Sequence, residues 1–179
     1  MNRLLFFISL LNGFAVFTVI YVMVRPYLEK GGRNRHLTAL LSVHLFRYLG
    51  LVGLLPGILD LSSLNVDHVF ANQMAYGDLL TALLAIASIV AIRRQISLAM
   101  PLIWVFSIVG LADLINVGII AIPRLVDPNI LGSLGWLLFT VYLPALILTH
   151  VLIIRLLLLG SRETAIEIDA LRIPQGRVG

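Results

Sequence analysis

The sequence predicts an all-α integral membrane bundle of five transmembrane helices, with the N-terminus outside and the C-terminus inside. Three observations lead there. Of the 179 residues, 60% are hydrophobic and only 12% are charged, about half the charged share of a soluble domain. The mean hydropathy is +1.02, and so few charges cannot cover that much apolar surface in water, which makes lipid the solvent for most of the chain. Apolar stretches close to the roughly 20 residues that a bilayer core requires recur five times. This composition excludes a disordered chain, a soluble enzyme and a nucleic-acid binder.

The elements follow in order. The first helix spans about residues 4–24 and is expected to stop at Arg25-Pro26. Arg3 before an apolar run resembles the start of a secretory signal, but the run is too long and no small-residue cleavage site closes it. The second spans about 37–59 and carries two ionisable groups, His44 and Arg47. Gly50, Gly53 and Gly57 line its outer half, where small residues permit close helix approach, and Pro56 is expected to bend or end it. The third runs from about 69 to 92, ending at Arg93-Arg94, and the fourth from about 98 to 122 with Pro101 in its first turn, where proline is tolerated. The fifth stays apolar over about 130–159. That length exceeds the core thickness, so a tilt or a kink at Pro144 is expected, freeing the carbonyl of Thr140. Together, residues 1–159 form the membrane domain and 160–179 a short cytoplasmic tail.

Positive charge sets the orientation. Arg25, Lys30, Arg33 and Arg35 fill the first loop, Arg93 and Arg94 the third, and Arg155, Arg162, Arg172 and Arg177 follow the last span. The other side holds only Arg3 and Arg124. A bacterial cytoplasmic membrane is the default location, since nothing directs the chain elsewhere.

Counting closes several chemistries. Cysteine is absent, which excludes disulfides and thiolate sites, and the one lysine, Lys30, lies in a polar loop rather than deep in the membrane.

The candidate site comes from the residues that lipid tolerates least. Asn12, Arg47, Asp78, Asp113 and Tyr142, one per helix, all fall roughly 12–18 Å below the outer boundary at 1.5 Å per residue, near the midplane. His44 lies three residues from Arg47, and Asn116 three from Asp113, placing each pair on one helix side. The helices are therefore expected to turn these residues toward a shared interior. Gly77-Asp78-Leu79 and Ala112-Asp113-Leu114 echo one another on antiparallel neighbours. Arg47 against two aspartates leaves one net negative charge, which a proton or cation would balance. The bland alternative is an ion cluster that only holds helices together.

Three functions compete. The first is binding or translocation of a proton, cation or small solute at Arg47, Asp78 and Asp113, with His44, Asn12, Asn116 and Tyr142 around them. A homodimer or a larger membrane complex would serve it, because five helices are few for alternating access. The second is an accessory subunit holding a lipid, a pigment or haem b, with His44 and His150 at similar depth as axial ligands. The third is an intramembrane enzyme using the paired aspartates. His36 and His68 fall at membrane boundaries as ordinary interfacial residues. In size and helix number alone the chain resembles the translocator/tryptophan-rich sensory protein family, but with just Trp104 and Trp136 it lacks that family's tryptophan-rich stretches.

Overall fold

The computed structural model describes residues 3–55, 68–125 and 135–172. Among them the protein is all-helical, without strands. Helix α1 spans Arg3–Lys30, α2 Gly32–Val43, α3 His68–Arg93 and α4 Ala99–Leu125. Residues 135–137 are helical. They lead through a π turn at Leu138–Tyr142 into α5, Leu143–Arg172. Four helical stretches are long and apolar enough to cross a membrane: Leu4–Lys30, Asn72–Arg93, Ala99–Ile119 and Gly135–Gly160.

The second expected span is built differently from the others. After α2, the chain tightens into a 3₁₀ helix over His44–Leu54. Such runs rarely exceed 3–4 residues, because the hydrogen bonds are less well aligned. The tighter coil also rises further per residue, so α2 and the 3₁₀ run together extend roughly 40 Å. Pro56, Gly57 and the expected end of this span at residue 59 lie outside the described residues.

Two proline expectations resolve differently. Pro26 does not end α1, which continues to Lys30. Its missing N–H and its ring bear on the Val22 carbonyl one turn back, and the helix nonetheless carries on beyond it, where the Arg25 Nε–Glu29 Oε1 pair at 2.6 Å supports the final turn. Pro144 is preceded by the π turn, whose end is marked by the Leu143 N–H bonding back to the Leu138 carbonyl. Helix α5 passes through Gly160 without a break and ends at Arg172.

The apolar core is asymmetric. Toward the arginine-rich ends of the helices, Leu37 and Leu41 of α2, Ala85 of α3, Ile103 and Phe106 of α4, and Ile153 and Leu157 of α5 pack as one buried cluster. A smaller cluster joins Leu114 to Leu143 and Leu146. Helix α1 stands at the edge. Phe6 packs edge-on against Trp136 with ring centroids 5.6 Å apart. Leu11, Val19, Val22 and Met23 remain exposed. Tyr21 stacks on His36 at 5.9 Å, and their Oη and Nε2 lie 3.4 Å apart. His36 is thus buried against α1.

Candidate functional site

Arg47 is the centre around which four elements meet. It has no exposed surface. The 3₁₀ geometry explains its position, because residues three apart eclipse one another. His44, Arg47 and Gly50 therefore stand in one column.

From that column the guanidinium reaches three helices. Its Nε donates to Asp78 Oδ1 of α3 at 2.6 Å, and its Nη2 donates to Asp113 Oδ2 of α4. Its Nη1 donates to the Gly110 carbonyl of α4 at 3.3 Å and contacts His150 Nε2 of α5 at 3.4 Å. Arginine offers a planar fork of donors and no acceptor, so one side chain can hold two carboxylates and two further acceptors. The carboxylates are less enclosed than the cation: the side chain of Asp78 is 22% exposed and that of Asp113 9%.

Glycines make the close approach possible. A Cβ added at Gly50 would strike the Asp78 carboxylate, and one at Gly77 would strike that of Asp113. One at Gly110 would lie 2.6 Å from His150 Nε2. The pattern runs in chain order, each element offering a notch to the polar side chain of the next. At the edge of the bundle, Gly13 of α1 does the same for the Thr140 carbonyl in the π turn.

Two histidines continue the polar path beyond Arg47. The rings of His44 and His150 have centroids 4.3 Å apart. Phe106 stacks on His150 at 5.0 Å and meets His44 edge-on at 4.9 Å. Hydrogen bonding assigns their protons. Because arginine only donates, His150 Nε2 accepts, so a neutral His150 carries its proton on Nδ1. Thr149 Oγ1 donates to the Ala145 carbonyl at 2.7 Å. It is therefore left to accept from His44 Nε2 at 2.9 Å. Each ring keeps its Nδ1 buried without a partner among the described residues. One is a bare acceptor and the other a donor.

The remaining expected site residues divide. Tyr142 lies within Coulombic reach of Asp78 and Arg47, and its hydroxyl is buried without a partner among the described residues. Asn116 is half-buried one turn from Asp113. Asn12 is exposed and does not join the cluster. Its neighbour Gly13 faces the π turn, and a rotation of about 100° per residue carries Asn12 away from the bundle. Haem b does not fit the histidine pair. A porphyrin iron needs its two axial imidazoles on opposite faces of a flat ring. Here both Nε2 atoms are engaged by protein groups, and the imidazoles touch one another.

Residues 5–158 match the family described as Domain of unknown function (DUF8737). The chain belongs to that family. The match spans every residue of the Arg47 cluster, from His44 to His150. No curated protein and no solved structure matches the chain.

Sequence reasoning did not assign Gly77, Gly110, Thr149 or Phe106 to the site. The Gly77-Asp78 dipeptide carried a partial signal, as a small residue beside a buried charge. Gly110 and Thr149 carried none, because their roles depend on which helix lies opposite.

Proposed function

We propose that this DUF8737 protein is a small multi-pass membrane protein whose Arg47–Asp78–Asp113 cluster binds and exchanges a proton or small cation. The observation that carries this reading is the sharing of one enclosed guanidinium by two carboxylates on neighbouring helices. The triad holds one negative charge beyond neutrality in surroundings of low dielectric. Uptake of a proton or cation by the carboxylates removes that excess. The partial exposure of Asp78 supplies the route of access.

The rest of the reading follows from charge and length. Five segments cross a bacterial cytoplasmic membrane, with the arginine-rich ends inside. The combined length of α2 and the 3₁₀ run is enough for the second crossing. His150 and His44 extend the polar path from Arg47 toward the inner side, as neutral imidazoles suited to passing protons. A second copy packed on the exposed apolar face of α1 would provide the larger assembly that transport needs.

Uptake by proteoliposomes under an imposed pH gradient tests the reading. Asp78→Asn and Asp113→Asn should each abolish the pH-linked component. Uptake unchanged in both variants would reject this role for the cluster.

A further inference from the structure

At the arginine-rich end of the bundle, a cavity of about 430 Å³ lies between the start of α2 and the end of α3, lined by Asn34, Arg35, Thr38, Ile92, Arg93 and Gln95. Two guanidinium-bearing side chains come from two different helices, and two amides stand beside them. Among the described residues, the ion pairs are Arg25–Glu29, Arg47–Asp78 and Arg47–Asp113, so no carboxylate neutralises Arg35 or Arg93. Thr38 is committed elsewhere, since its Oγ1 donates to the Asn34 carbonyl at 2.8 Å. The free donors are thus the two arginines and the amides of Asn34 and Gln95.

A second observation concerns the backbone. Helix α3 ends in a Schellman turn, in which the Gln95 N–H bonds to the Ile92 carbonyl at 3.1 Å and the Ile96 N–H to that of Ala91 at 3.0 Å. The turn requires a left-handed residue, and Gln95 takes it with φ of 53°. Glycine is the usual residue there, because any side chain costs about 1–2 kcal/mol in that conformation. Gln95 is the one non-glycine residue with positive φ among those described, and its side chain lines the cavity. A backbone cost retained at a cavity rim is the kind of outlier that marks a binding role.

We infer that this cavity is a site for a phosphate-bearing anion, held by Arg35 and Arg93 and oriented by the amides of Asn34 and Gln95. Arginine forks suit phosphate oxygens, and basic recesses between helices at the inner membrane face suit anionic lipid headgroups. The same chemistry would hold a free phosphate. The site lies apart from the Arg47 cluster and does not depend on what that cluster carries.

The full-length protein in nanodiscs tests the inference. One arm uses phosphatidylcholine alone, the second adds phosphatidylglycerol, and the third adds inorganic phosphate to phosphatidylcholine. Bound lipid is read by native mass spectrometry, and stability by melting temperature. Phosphatidylglycerol retention or protection by phosphate should fall about tenfold for each of Arg35→Gln and Arg93→Gln. Gln95→Gly should weaken binding while leaving the melting temperature in phosphatidylcholine unchanged or higher. Protection by phosphatidylglycerol alone identifies a headgroup, protection by inorganic phosphate identifies the free ion, and either supports the site. Absence of any effect from both probes would overturn it. So would an equal loss in Arg94→Gln, whose side chain does not line the cavity. Asp78→Asn should bind the anion normally, which separates this test from the uptake assay.

Discussion

Arg47 bears an unequal share of the charge balance among the residues of the cluster. Loss of either aspartate leaves a neutral pair, with Arg47 still bound to the other acid. Loss of Arg47 leaves two carboxylates beside one another with no counterion. Breaking a buried charge group from the side that strands its partners costs about 3–5 kcal/mol. Removing one of several charge-assisted acceptors costs about 1–3 kcal/mol. Arg47→Leu is therefore expected to destabilise the folded protein by more than either Asp78→Asn or Asp113→Asn. Restoring neutrality in the triple variant should recover most of the loss, since residues in one network are not additive. Reversible unfolding in mixed detergent micelles measures all four. An Arg47→Leu cost no larger than that of Asp78→Asn would show that the guanidinium is not the shared counterion.

The elements matter through how closely they approach. The 3₁₀ run places His44, Arg47 and Gly50 in one column, and the glycines of successive helices receive the polar side chains of the next. The same device fixes α1, which otherwise exposes most of its apolar surface. Gly13 sits over the Thr140 carbonyl of the π turn, and an added Cβ there would meet that carbonyl oxygen, with Pro144 Cγ 3.0 Å away. The obstacle is backbone and a rigid ring, so it cannot swing aside as the end of a flexible side chain would. Gly13→Val should therefore lift α1 from the bundle, lowering stability by about 1–3 kcal/mol. The Tyr21–His36 contact, farther along the same helix, would loosen with it. Protease nicking of α1 in detergent reads the detachment, and a variant as resistant as the parent would count against the notch. At the other end of the bundle, Gln95 bears a cost in a turn that suits glycine, which ties the end of α3 to the proposed anion site.

The distribution of charge over the whole molecule predicts its placement in a bilayer. Arg33 and Arg35 of α2, Arg93 at the end of α3 with Arg94 just after it, and Arg155 of α5 mark one end, which is expected to face the cytoplasm. The natural sequence contains no cysteine, so single-cysteine labelling needs no prior replacement. Lys30→Cys and Arg94→Cys should react with a membrane-impermeant maleimide only after the inner face is opened. Asn2→Cys and Ser63→Cys should react on intact cells. The reverse pattern would invert the topology and with it the direction of the proposed histidine path.

The sequence by itself determined the helical state, the stretches apolar enough to cross a membrane and the cost that each hydrophilic residue within them would carry. These are local quantities, fixed by how many apolar side chains fall in a row and by a 1.5 Å rise per residue. They were enough to single out Arg47, Asp78 and Asp113 as residues needing partners. Tertiary structure alone decided who the partners are. Depth leaves the rotation of a helix about its axis undetermined, so Asn12, at the same depth, turns outward while His150 turns in. Hydropathy does not distinguish an α-helix from a 3₁₀ helix, so the spacing puts His44 and Arg47 on one side, while the single column they form with Gly50 appears only in the fold. The decisive contacts depend on glycines that let one backbone approach the side chain of another, and that fit is a property of two helices rather than of either sequence.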